Sequence, residues 1–329
     1  MDRAELDRRA EVLERLSAQG GPLTSEAPTA TIHNPKFFGP SGNPTPARRQ
    51  VQRQILQKYL EQYPNFEAEG QAIVMAGPPG AGKSSALQDI ITETGISKEK
   101  WLLLDADEVK KLLLDQAQAD GTYQDLIPDE LRAEGITPYP AELASVVHEE
   151  SSMLVKRLMN LALQGRWNVI IDGTLANLEK ADKLLTELAK SGYTVHVVAV
   201  DVSLEDSKRR IRARWEEGVT DAAEGKNADG GRWVPPAFAE SVFSPDDIHH
   251  SRCHSNAITL AKKHPHVLRL ICRDGMTSRI TGDYQRDKHG ARLLEHGGRK
   301  ARQMHLTDYP YPSAAHGELR GRHGPGAGD

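Results

Sequence analysis

The stretch Gly77-Pro78-Pro79-Gly80-Ala81-Gly82-Lys83-Ser84 satisfies the pattern GxxxxGK[ST] in full. Glycines in such a loop let backbone N–H groups turn inward and approach phosphate oxygens with no Cβ in the way. A helix that opens at Lys83 adds its own unpaired amides and the positive end of its dipole. Lys83 then reaches the β- and γ-phosphates, and the Ser84 hydroxyl can ligate Mg²⁺. Gly77 through Ser84, together with Ser85 in the same turn, are the expected contacts of ATP·Mg²⁺. A chance glycine-rich turn would lack the apolar run Ala72–Ala76 before it and the helical pattern Lys83–Thr94 after it.

Holding a triphosphate does not name a reaction. Neither NKxD, the guanine reader of GTPases, nor LSGGQ, the transporter ATPase signature, occurs downstream. A small-molecule kinase is the simplest remaining class. Transfer to an alcohol needs a carboxylate that orients the hydroxyl and accepts its proton. In "WLLLDADEVKKLL", Asp105 and Asp107 stand at a strand's carboxyl end, where open α/β sheets place ligands. Their i, i+2 spacing points to one of the two serving. On pattern alone, Asp107 reads equally as the base or as the N-cap of the following helix. In "NVIIDGTLAN", Asp172 ends an apolar run as a Walker-B-type acid does, and Thr174 offers a hydroxyl; an ordinary Asp-Gly turn is the plainer reading.

Arginines supply the remaining chemistry. Arg210 and Arg214 share one helix face in "SLEDSKRRIRARWEEG", and Arg232 follows in "GGRWVPP". An arginine-bearing lid would stabilise charge on a migrating phosphoryl group, whereas a solvated basic face would look the same in sequence. The stretch from Gly218 to Gly230 has the composition of the mobile loop such a lid requires.

The elements that must position these residues are legible as alternating periods. Short apolar runs at 72–76, 101–104, 167–171, 194–200 and 267–272 suit buried parallel strands. Helical patterns over 83–94, 106–118, 141–164, 178–191, 204–217 and 245–264 separate them. The expected fold is α/β: a doubly wound parallel sheet of the P-loop kinase type. Residues 1–47 read as an exposed amphipathic helix and an extended Pro/Gly-rich linker, residues 48–281 as the kinase domain, and residues 282–329 as a tail disordered at its end.

At 329 residues the chain suits one substantial domain with appendages. A net charge of −4 argues against generic nucleic-acid binding. Its two cysteines are too few for a disulfide framework. No signal-peptide core and no apolar run of membrane-spanning length occurs, so a cytoplasmic protein without a membrane partner is expected.

The order GPPGAGKS, D-A-D, T-P-Y, H-E-E, D-G-T, R-W and G-G-R-W-V-P resembles the zeta toxin family over about Arg48 to Met276. The resemblance implies a P-loop kinase fold of strand order 2-3-1-4-5. It also implies ATP-dependent phosphorylation of the sugar 3′-hydroxyl of UDP-N-acetylglucosamine, and an antitoxin protein as partner. Position by position it makes Lys83 and Ser84 the phosphate and magnesium residues, and Asp107 the base. Arg214 and Arg232 become the arginines on the nucleotide phosphates, and Asp172 and Thr174 become substrate contacts. A substrate-binding glutamate is expected before the D-G-T strand. Glu149 and Glu150 are the nearest, Glu149 preferred, although the interval from Thr137 is longer than the family's. Other readings are a kinase for another small-molecule hydroxyl, on an antibiotic or a nucleoside, and a nucleotide-gated interaction protein that hydrolyses ATP slowly. Segment 2–46 covering the site in cis is a further possibility.

Overall fold

The computed structural model describes residues 1–94, 97–287 and 292–295. Helix α1 (Arg3–Leu16) is capped by Asp2, whose side chain accepts from the Glu5 amide. Its stripe of Leu6, Val12, Leu13 and Leu16 is buried in the same apolar cluster as the central strands. This corrects the expectation of an exposed helix: the stripe has the core itself as its partner. The expected linker is likewise not extended. Residues 20–45 wind through successive turns that bury Leu23, Ala30, Phe37 and Phe38 in that cluster, and the Thr31 amide donates to Val146 O at 2.9 Å. Helix α2 (Pro46–Glu61) follows a Thr45 cap and buries Ile55 and Tyr59.

From there the elements alternate as the apolar runs require. They are β1 (Gln71–Ala76), α3 (Lys83–Thr94), β2 (Leu102–Leu104), α4 (Ala106–Ala119), the short α5 (Asp129–Ala133), α6 (His148–Gly165) and β3 (Val169–Ile171). Next come α7 (Leu178–Lys190), β4 (Thr194–Asp201), α8 (Leu204–Ala223), α9 (Pro236–Ser241), and β5 (Phe243–Ser244) with β6 (Asp247–Ser251). Last are α10 (Arg252–Lys263), β7 (Val267–Asp274), β8 (Ile280–Arg286) and β9 (Leu293–Glu295).

The main sheet has the order β2-β3-β1-β4-β7-β8-β9. Every pairing from β2 to β7 is parallel. With β7 counted as the fifth core strand, this is the expected 2-3-1-4-5 order. All of β1 is buried, because Ala72, Val74 and Ala76 face one apolar cluster and Ile73 and Met75 face another. That two-sided burial makes the sheet doubly wound.

The order differs from expectation at one edge, where antiparallel β8 and β9 extend the sheet beyond the expected boundary at residue 281. Strand β8, "ITGDYQR", carries no continuous apolar run because an edge strand need bury only part of itself. Its Asp283 holds Arg269 of β7 through two bonds of 2.9 and 2.8 Å. The end of the tail, residues 296–329, lies outside the described residues. Two helical expectations also change. A tight turn at Pro140–Leu143 precedes α6, and the β5–β6 hairpin precedes α10.

Candidate active site

The phosphate-type loop runs from the end of β1 into α3 and lies against β4. A Cβ on Gly77 would sit 2.4 Å from Val200 O, so only glycine lets the two backbones approach. Gly82 takes φ +90°, a left-handed conformation that favours glycine. The Gly77 amide donates to Thr174 O at 3.2 Å, and the Ala81 amide donates to Pro78 O at 3.2 Å. Arg210 braces the loop from beneath, its Nη1 donating to Gly275 O at 2.8 Å and to Ala81 O at 3.4 Å. Arg210 therefore parts company with Arg214, although the two share a helix face in sequence.

Lys83 Nζ lies 3.3 Å from Gly77 O and 3.7 Å from Asp172 Oδ1. That carboxylate oxygen is buried and accepts no hydrogen bond, an expensive condition that a bound cation or donor would relieve. Ser84 and Ser85 stand exposed in the first turn of α3. Lys83, Ser84, Asp105, Glu108 and Asp172 line one cavity of about 190 Å³. The glycine cradle, a lysine, a hydroxyl at the helix start and an orphaned carboxylate oxygen together fit a magnesium nucleotide. Ser84 and Asp172 are the side chains that would hold the metal.

The two aspartates of D-A-D have separate duties. Asp105 is the cap of α4: its Oδ1 accepts from the Asp107 amide at 2.7 Å. This leaves the Asp107 carboxylate free to project from the first turn. It pairs with Lys110 Nζ at 3.0 Å, one helical turn along, and with the Arg232 guanidinium. Burial, with Asp172 and Glu108 nearby, pushes the Asp105 carboxyl up to about 6 against the pull of Arg232 and Lys110. Burial also draws the Lys110 ammonium down to about 8, opposed by Asp105 and Glu149. Burial lowers the Arg232 guanidinium as well, which nonetheless stays a cation.

Arg232 arrives by a close backbone crossing. Helix α8 continues to Ala223, through Gly218 and into the stretch expected to be a mobile lid. A Cβ on Gly218 would lie 2.5 Å from Gly231 Cα, and one on Gly231 would lie 2.0 Å from Trp215 O. Trp215 and Trp233 then meet edge to face with ring centroids 5.2 Å apart. Their indole N–H groups donate to Glu142 Oε1 at 3.1 Å and to Ser17 Oγ at 3.0 Å. Arg9 of α1 forks onto the same buried Glu142. Further ion pairs from α1, Arg3–Glu216 and Asp7–Arg212, hold α8. These contacts tie α1 to the arginine-bearing elements. Arg214, exposed on α8, joins Asp107, Lys110 and Arg232 around a second cavity of about 390 Å³.

The glutamate ambiguity has a geometric answer. Glu150 is fully buried, takes both Arg48 nitrogens at 2.7 Å and accepts from Gln52 at 2.8 Å. It ties α6 to α2. Glu149 is half-buried and lies near enough to Lys110 to oppose the lowering that burial imposes on it. Thr174 spends its hydroxyl on the Ala176 amide at 3.3 Å, so its observed duty is to shape the turn. Lys110 escaped sequence reasoning, although its i+3 spacing from Asp107 was the available signal.

Known proteins agree with this architecture. Over 158 residues the chain is 32% identical to adenylate kinase of Thermus thermophilus, covering 46% of this chain and 70% of that one. The crystal structure of AvrRxo1-ORF1:-ORF2 with ATP superposes with a TM-score of 0.53 at 15% identity, over 78% of this chain and 71% of that one. The native form of that complex gives 0.52 at 16% identity, over 78% and 72%. Among the described residues no helix is long and apolar enough to cross a membrane. The zeta toxin family model matches residues 54–250. That match begins within α2 and ends in β6, taking in the phosphate loop, both aspartates and the arginine crossing, and the chain belongs to the zeta toxin family.

Proposed function

We propose that this chain is an ATP-dependent kinase that phosphorylates a sugar hydroxyl, with UDP-N-acetylglucosamine as the acceptor. The observation that carries the reading is the Asp107 carboxylate. It lines the second cavity while its cap partner Asp105 lines the cavity of Lys83. One short turn therefore separates the nucleotide side from the acceptor side. ATP·Mg²⁺ in the loop would supply the transferable phosphoryl group, held by Lys83, Ser84 and the orphaned oxygen of Asp172.

Asp107 orients the acceptor hydroxyl and takes its proton at a carboxylate oxygen. Its pairing with Arg232 and Lys110 holds it in position until the alcohol arrives. Arg232 and Arg214 then stabilise charge on the migrating group, so catalysis comes from positioning and electrostatics. Glu149, beside Lys110, contacts the acceptor. Family membership supports the choice of UDP-N-acetylglucosamine, and with it a second protein as an antitoxin; AvrRxo1-ORF1 is itself seen in a complex with ORF2.

The test is incubation of the purified chain with ATP, Mg²⁺ and a panel of UDP-sugars, with products read by mass. A gain of one phosphoryl group on UDP-N-acetylglucosamine is expected. Transfer to a nucleoside or an antibiotic instead would move the acceptor assignment. ATP turnover indifferent to every acceptor would remove the kinase reading.

A further inference from the structure

Where β4 ends, the β5–β6 hairpin and the start of α10 bring together three side chains that the kinase reading leaves unused. Asp201 Oδ2 lies 3.0 Å from His250 Nδ1 and 4.0 Å from His254 Nδ1. One donor atom from each residue falls within 4.8 Å of the other two. We propose that Asp201, His250 and His254 form a binding site for a divalent transition-metal ion, Zn²⁺ by the chemistry of the donors.

Two imidazoles and one carboxylate form a borderline-soft set that suits Zn²⁺ and disfavours Mg²⁺, whose preference is for oxygen ligands. A tetrahedral ion with bonds of about 2.0–2.2 Å separates its donors by roughly 3.3 Å, so small side-chain shifts close the observed triangle. His250 is exposed, so its ring has room for such a shift.

The remaining parts are already held. Asp201 Oδ1 accepts from Ser251 Oγ at 2.6 Å and from the Ser251 amide at 3.1 Å, which orients Oδ2 toward the two rings. Ser251 Oγ also accepts from the His254 amide at the start of α10. Asp247 takes the His249 and His250 amides at 3.0 and 2.9 Å, fixing the hairpin backbone. The Asp201 carboxylate is thus itself hydrogen-bonded, as ligating carboxylates are.

The place of the site in the fold says what the ion does. Asp201 O accepts from the Gly275 amide at 2.8 Å, and Gly275 O takes the Arg210 that braces the phosphate loop. An ion here clips the hairpin to the frame behind that loop, on side chains other than Ser84 and Asp172.

The test uses the untagged full chain, stripped with a chelator and titrated without nucleotide in excess Mg²⁺. Zn²⁺ binding is read by calorimetry and Co²⁺ by its ligand-field absorption. One tight equivalent is expected, with affinity reduced at least about tenfold in His250→Ala and in His254→Ala. His250 is exposed, so its variant should keep the wild-type circular dichroism. His33→Ala, at an exposed histidine elsewhere, is the reference. A loss in His250→Ala no larger than in His33→Ala overturns the site.

Discussion

The carboxylate of Asp107 is held by the guanidinium of Arg232, a residue delivered from far along the chain by a glycine crossing over α8. That contact joins the base expected for the acceptor to the cation expected for the phosphoryl group. Asp107→Asn should lower kcat/KM by about 10² to 10⁴ with the thermal unfolding curve unchanged. If the Asn variant turns over near the wild-type rate, proton abstraction belongs elsewhere. Arg232→Ala should cost activity as well, and the double variant should lose less than the sum, because both act on one event.

Asp105 sets a pH dependence of stability. Its carboxyl titrates at about 6 in the folded chain against an ordinary 3.8. Folding therefore favours the protonated form. That contribution is fully present below the ordinary value and is lost as pH rises through 6. Asparagine caps a helix as well as aspartate does, so Asp105→Asn should be more stable than wild type above that pH, by up to roughly 3 kcal/mol. The difference should shrink to a small fraction of that near pH ~4 and vanish below it. Urea unfolding at about pH 4 and about pH 8 checks it; an equal gain at both would mean the cap, not the charge, is responsible.

Adjacent glutamates should behave oppositely. Glu150→Ala strands the buried Arg48 without its carboxylate, a loss of about 3–5 kcal/mol. Glu149→Ala should leave stability within ~0.5 kcal/mol and raise KM for the acceptor. Chemical denaturation and steady-state kinetics on the two variants separate the roles, and a stable Glu150→Ala protein would contradict the structure.

Gly231→Ala places a methyl group where Trp215 O already sits. The crossing must open, carrying Arg232 away from Asp107. The expected result is a kcat reduced at least about tenfold in a chain that still binds ATP. Unchanged kcat would show that the loop adapts and that the close crossing is not required.

Removal of residues 1–18 tests whether α1 clamps or covers. It strips Arg9 from Glu142 and Ser17 from Trp233. Stability and activity should fall together, with a lower melting temperature as the first sign. A truncated chain that is fully stable and more active would instead make α1 an inhibitor.

Some features of this protein are written locally and were readable without coordinates. The phosphate-type loop is one contiguous segment in which the glycine backbone, the Lys83 ammonium and the Ser84 hydroxyl fall within eight residues, so spacing alone carries the expectation. The buried parallel strands announce themselves as apolar runs because both of their faces are covered. Asp107 and Arg232 were singled out through a family resemblance that rests on short motifs, each in its own local context. Other features depend on what arrives from elsewhere in the chain. Two aspartates at i, i+2 became cap and carboxylate because Asp105 takes the Asp107 amide while Arg232 and Lys110 form their ion pairs with Asp107. Glu149 and Glu150, one residue apart, were divided by Arg48 and Gln52 of α2. Helix α1 looked solvent-bound because a charged face reads the same whether its charges meet water or the buried Glu142. Edge strands β8 and β9 carry no continuous apolar run, since they exist by pairing with β7 rather than by burying both faces. Local pattern determines what a segment can do by itself. Which of several equivalent side chains does it is decided by the partner that folding brings, and that partner is invisible in any short window of sequence.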